Sequence, residues 1–132
     1  METQTAGQGP ILVLGGTGKT GRRIVSGLRD RGLPHRVGSR AASPAFDWSS
    51  EETWDDALEG ASSIYISYAP DLAIPGAKEA IAELVDRAKR HDVKRLVLLS
   101  GRGEEEAQAC ERIVRDSGLE WTIVRASWFA QN

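Results

Sequence analysis

The stretch ILVLGGTGKTG, residues 11–21, carries two competing phosphate-binding patterns, and the choice between them decides the fold. Its Gly18-Lys19-Thr20 ends as a nucleoside-triphosphate P-loop ends, but the glycine that opens such a loop would fall on Val13. Val13 belongs instead to Ile11-Leu12-Val13-Leu14, an apolar run stopped by glycines, which reads as a buried parallel strand. After the strand comes Gly15-x-x-Gly18-x-x-Gly21, a relative of the G-x-G-x-x-G turn with its first interval lengthened by one residue. Gly15 permits a sharp exit from the strand, Gly18 lets a pyrophosphate approach the backbone, and Gly21 lets a helix pack closely on the strand. Taken alone, the loop fits an ordinary strand-to-helix turn equally well, so the flanking sequence has to decide.

Outward from the loop, strands and helices alternate. Residues 19–31 place Gly21, Ile24, Val25 and Leu28 on one face, with Gly32 and Pro34 as the stop. HRVGSR reads as a second strand, AFDW as a third, and SSEETWDDALEG as a short helix with a Ser49/Glu52 capping box and Gly60 past its end. SIYISYAP is a fourth strand by its β-branched and aromatic content. Ala77, Ala80, Ile81, Leu84, Val85 and Ala88 then recur at helical spacing, RLVLLS is a fifth strand, a helix over 104–117 buries Cys110, Ile113 and Val114, and WTIVRA is a sixth strand. Strands joined by helices need right-handed parallel crossovers, so the sequence predicts an α/β, doubly wound parallel sheet of the Rossmann type in the order 3-2-1-4-5-6. In that setting the glycine loop leaves strand one and opens helix one, where unpaired N–H groups and the helix dipole attract a phosphate. The loop residues Gly15, Thr17, Gly18, Lys19 and Thr20 are the phosphate-contacting candidates.

The chain has 132 residues, 40% hydrophobic and 27% charged, which suits one soluble domain with a real core. A formal net charge of -2 gives no basic field for nucleic acid or anionic lipid, so a small-molecule partner is favoured. The single cysteine, Cys110, excludes an internal disulfide, and with two distant histidines it builds no metal site. No signal-like or membrane-spanning run is present. The expectation is a cytoplasmic protein with a flexible leader over residues 1–10 and one nucleotide-binding domain over residues 11–132.

The end of the second strand separates the two nicotinamide cofactors. NAD is held there by an acidic residue on the adenine ribose, and this chain reads Val37-Gly38-Ser39-Arg40. Arg40, with the Ser39 hydroxyl beside it, is suited to a 2′-phosphate through charge-assisted bonds, which points to NADP.

These features together resemble the NmrA-like branch of the atypical short-chain dehydrogenase/reductases. The matching segments are GGTGKTG, VGSR, FDW, YAP, LLSGRG and the closing SGLEWTIVRASWFAQN, spread over nearly the whole chain. FDW followed by ETW, with the lysine-bearing glycine loop, is most similar to the reductases of ergot-alkaloid biosynthesis and their bacterial relatives. The resemblance implies a domain that binds NADP(H), with Asp47 and Trp48 near the adenine, Tyr68, Ala69 and Pro70 along the cofactor, and Ser100 and Gly101 near the nicotinamide ribose.

Two departures from the family pattern bear on function. In family members the segment matching ASWFAQN leads into a C-terminal substrate-binding region, which this sequence lacks. The Tyr-x-x-x-Lys dyad that usually donates the proton would fall on Gly103 and Ala107, so no catalytic residue is assigned. Tyr65 and Tyr68 differ in face at strand periodicity; Tyr68 is favoured for the cofactor and the other for packing on a helix. Glu104, Glu105 and Glu106 read as dipole complements on a solvated first turn, and Cys110 as an inert core thiol. Trp128 and Phe129 either wall a nicotinamide pocket or belong to the core of the absent half; with Trp121 they make a candidate surface for self-association or a protein partner. Two functions remain open: an NADP(H)-dependent oxidoreductase acting on a small organic, iminium-like or electron-poor substrate, and a non-catalytic dinucleotide sensor acting through a protein partner.

Overall fold

The computed structural model describes residues 9–14, 19–38, 45–48, 50–67, 76–101 and 105–126. Its elements run β1 (Ile11–Leu14), α1 (Lys19–Asp30), β2 (His35–Gly38), a 3-10 turn (Glu51–Thr53), α2 (Trp54–Leu58), β3 (Ser63–Ile66), α3 (Ala77–Arg90), β4 (Arg95–Gly101), α4 (Glu105–Arg115) and β5 (Glu120–Ala126). The five strands form one parallel sheet in the order β2-β1-β3-β4-β5. The doubly wound reading therefore holds, and β3, β4 and β5 are the strands expected fourth, fifth and sixth.

The expected third strand is the difference. Among the described residues, 45–48 add no strand beside β2; Asp47 makes only an isolated antiparallel bridge with Ser50. The backbone of Asp47 is already committed: its N–H donates to Thr53 Oγ1 at 3.0 Å, and its carbonyl accepts from Trp54 Nε1 at 2.8 Å and from the Ser50 N–H at 3.0 Å. Side chains of the following turn thus occupy the groups a sheet ladder would need. Phe46, Trp48 and Trp54 lock the arrangement, with Phe46 stacked on Trp54 at 5.5 Å and Trp48 edge-on to both. The expected capping box falls on Ser49, outside the described residues.

Paired residues in a parallel sheet send their side chains to the same face, so the register sorts the core into two layers. Leu12, Ile64 and Leu96 share one face, with Ile66, Leu98 and Ile123 beside them, under α2, α3 and α4. Val13, Val37, Tyr65, Val97 and Leu99 share the other, where Ile24, Val25 and Leu28 of α1 pack on them. These are the residues whose 3.6 spacing marks α1 as amphipathic. The helix stops at Gly32, whose φ of +67° suits glycine, with the Leu33 N–H bonded to the Leu28 carbonyl and the Gly32 N–H to that of Arg29.

Candidate functional site

Every strand is parallel, so the carboxyl ends Leu14, Gly38, Ile66, Gly101 and Ala126 lie along one edge of the sheet. Along that edge the connections reverse at β1. The chain runs from β1 outward to β2, then returns across β1 to β3, with α1 on one face and α2 to α4 on the other. The crevice between the carboxyl ends of β1 and β3 is the switch point at which open α/β sheets bind ligands. Helix α1 begins at Lys19, shortly after β1 ends at Leu14, so its first-turn N–H groups stand at this crevice. A phosphate there gains about 0.3–1 kcal/mol from the helix dipole even at an exposed position.

The sequence-predicted residues map onto this edge in chain order. Lys19 and Thr20 open α1; Ser100 and Gly101 close β4. Gly15, Thr17 and Gly18 follow β1, Ser39 and Arg40 follow β2, and Tyr68, Ala69 and Pro70 follow β3, but all of these lie outside the described residues. Trp128 and Phe129, past β5, also lie outside them. Asp47 and Trp48 are brought to the end of β2 through Phe46. A methyl group built on Gly38 would meet Leu14 Cδ2 at 2.5 Å and Phe46 Cβ at 3.4 Å, so only glycine lets the aromatic cluster and β1 close on this strand end. The Trp48 ring beside it is half-buried and packs edge-on against Phe46 and Trp54.

Ser100 sits differently from a simple ribose contact. It shares the face of Leu96 and Leu98, under α4; its side chain is fully buried, and its hydroxyl donates to Glu111 Oε2 at 2.6 Å. The single hydroxyl proton is thus given to a helix residue, and any further bond it makes is made as an acceptor. Glu111, which the sequence reading did not single out, is itself buried, with Oε1 at 3.7 Å from Arg115 Nη1. The signal was present: Ala107, Cys110, Glu111 and Val114 form a helical stripe, and one of its four members is a carboxylic acid.

The remaining acid–base candidates are withdrawn from the crevice. Ala107, at the lysine position of the expected dyad, is fully buried under the sheet; Gly103 lies outside the described residues. The Tyr65 side chain packs with Val13, Val25 and Leu99, and burial pushes its phenol above the ordinary value. Tyr65 is thus packed on a helix, as expected, and Tyr68 lies outside the described residues. Cys110 is buried in the core cluster under α4. His35 begins β2 and His91 follows α3, which places both at the amino edge, opposite the crevice. Among the described residues there is no group of His, Cys, Asp or Glu fit to hold a metal ion.

Comparison with known proteins agrees with this geometry. The model of a family described as NAD(P)H-binding matches residues 15–132. The agroclavine dehydrogenase of Claviceps fusiformis is 32% identical over 142 residues, covering 92% of this chain and 47% of the relative. Festuclavine synthase II of Penicillium roqueforti is 34% identical over 144 residues, covering 92% and 48%. Among solved structures, an NADPH-dependent quinone oxidoreductase from Escherichia coli, complexed with NADPH, superposes with a TM-score of 0.75 at 20% identity, over 92% of this chain and 50% of that one. Similarity at that identity speaks for the fold. The chain spans about half the length of the curated relatives it matches.

Proposed function

The chain belongs to the NAD(P)H-binding family, and on that premise we propose that it is an NADP(H)-dependent oxidoreductase, or the nucleotide-binding part of one, that delivers hydride to a small organic substrate already cationic or strongly electron-poor. The observation that carries the binding half of this reading is the switch point itself, with β1 between β2 and β3 and α1 opening directly after the glycine loop. When bound, the reduced nicotinamide supplies the hydride. The loop and the first turn of α1 would hold the pyrophosphate, Asp47 and Trp48 would lie by the adenine, and Ser39 with Arg40 would read the 2′-phosphate.

The substrate half of the reading rests on Gly103 and Ala107, which stand at the positions of the proton-donating dyad. Hydride addition to a ketone leaves an alkoxide that needs a positioned acid, and such an acid contributes about 10²–10⁴-fold. Among the described residues none is aimed at the crevice: Ala107 is apolar, Tyr65 is packed under α1, and the Ser100 proton is given to Glu111. An iminium needs no acid, because hydride cancels a charge it already carries, and a quinone-like acceptor spreads the charge it gains. The protein's contribution is then proximity and orientation.

The reading is tested by mixing the protein with NADPH and matched cyclic imine and ketone substrates while following the reduced-nicotinamide absorbance. Imine reduction faster than ketone reduction by roughly 10²-fold or more is expected. Ketone reduction at an equal rate, with an acid limb in its pH profile, would overturn it. Saturable binding with no turnover of any acceptor would favour the sensor alternative, which the empty dyad positions also suit.

A further inference from the structure

Glu111 is an ionisable side chain in a place where its helix neighbours Ala107, Cys110 and Val114 are apolar and buried. It is only 1% exposed, and its Oε2 takes the hydroxyl proton of the fully buried Ser100 at 2.6 Å. Removing a carboxyl group from water is costly, and a leucine facing an alanine would fill the same space without that cost. A polar pair kept in such a position fixes one geometry, because only one placement of strand end against helix satisfies both groups. The pair's location says which geometry. Ser100 is the penultimate residue of β4, at the carboxyl edge, and Glu111 lies in the second turn of α4, the helix that begins just after β4 ends. The bond therefore ties the carboxyl end of β4 to the second turn of α4. Arg115, one turn further along, stands 3.7 Å from the second carboxyl oxygen and holds the group from the solvent side.

We propose that Glu111 is a positioning residue for the nicotinamide half of the site: by accepting the Ser100 hydroxyl's hydrogen bond it fixes the carboxyl end of β4 against α4, and with it the backbone at Gly101 against which that half of the cofactor would rest. This rests on the dinucleotide reading above. Glu111 touches neither cofactor nor substrate and acts through Ser100.

The test compares NADPH with 2′,5′-ADP, which carries the adenine half alone, in titrations of the wild type, Glu111→Leu, Glu111→Gln, Ser100→Ala and the Glu111→Leu/Ser100→Ala double variant. Glu111→Leu is expected to weaken NADPH about tenfold while 2′,5′-ADP stays within about twofold, since the loss of one hydrogen bond to a charged group is of that order. Glu111→Gln keeps the size and an acceptor oxygen and is expected to recover most of the NADPH affinity. The double variant is expected to bind no more weakly than Glu111→Leu, because both changes break the same contact. Equal losses for the two ligands would assign Glu111 a merely structural role, and no loss would leave it none; either overturns the proposal. Wild-type protein that binds neither ligand would overturn the dinucleotide reading and this one with it.

Discussion

At the end of β2 the sequence runs Val37-Gly38-Ser39-Arg40, and each residue answers a different constraint. Val37 packs toward α1, and Gly38 lets β1 and Phe46 close on the strand end. Arg40 stands in sequence where NAD-binding chains carry an acid, so its guanidinium is the group expected to read a 2′-phosphate. One charge-assisted contact contributes on the order of 1.5–3 kcal/mol, or about tenfold or more in affinity. Arg40→Asp is therefore expected to reverse the ratio of the NADPH and NADH dissociation constants. An unchanged ratio would mean that another residue reads the phosphate. At this scale the sequence located the candidate residues through their distance from strand ends, since a glycine after an apolar run has a definite steric meaning. It did not single out Glu111, because a lone glutamate on a helix reads as solvated even where, as here, it falls on the stripe of Ala107, Cys110 and Val114 that the structure buries.

Among the described elements, α2 is the shortest α-helix, and α3 ties it down. Arg87 of α3 binds it: the guanidinium bonds to Glu83 at 2.7 Å, to Asp55 at 3.1 Å and to the Glu51 carbonyl at 2.9 Å, and lies over the Trp54 ring at 5.4 Å. Arg90, one turn away in the register of α3, makes only exposed pairs. Arg87→Ala is expected to destabilise by about 1 kcal/mol or more through lost packing and charge together, and Arg90→Ala by under about 0.5 kcal/mol, both read from denaturant midpoints. The Asp55 carboxyl is held below its ordinary range first by its hydrogen bond with His91, then by the charges of Arg87, His91 and Arg90, against an opposing push from burial. A carboxyl depressed in the folded state stabilises above its unfolded pKa and loses that contribution as pH falls, here below about pH 4. Asp55 is largely exposed, so the share is small, within about 1 kcal/mol. Asp55→Asn should lower stability at neutral pH by up to about that amount, flatten the acid limb of the stability profile, and leave stability little changed at a pH low enough to protonate Asp55 in the wild type. The long helices were legible from the 3.6 spacing of their apolar residues, and the strands from short apolar, β-branched runs bounded by turn residues. AFDW was not, because what cancels it as a strand is a pair of hydrogen bonds between the Asp47 backbone and the Thr53 and Trp54 side chains, the first accepting and the second donating.

For the whole molecule, coverage of the sheet differs between its ends. On the β4–β5 side, Val124 is 43% exposed on the face that α1 packs, and Trp121 is 44% exposed on the other, with Arg115 over its ring at 6.0 Å. This apolar surface on β5 is expected to promote self-association or the binding of another polypeptide. Sedimentation over a range of concentrations should show association that Trp121→Lys weakens; a strictly monomeric species with no affinity for apolar dyes would contradict it. The doubly wound order was readable from alternation alone, whereas the two-layer core and the pairing of Ser100 with Glu111 under α4 required the register. The central claim is that the loop after β1 holds a dinucleotide pyrophosphate and not a triphosphate with magnesium. Calorimetric titration of the chain with NADPH and, separately, with ATP and magnesium tests it directly. Saturable binding of NADPH, tighter than that of magnesium-ATP, is the predicted result; tighter binding of magnesium-ATP, or no binding of NADPH, would contradict it.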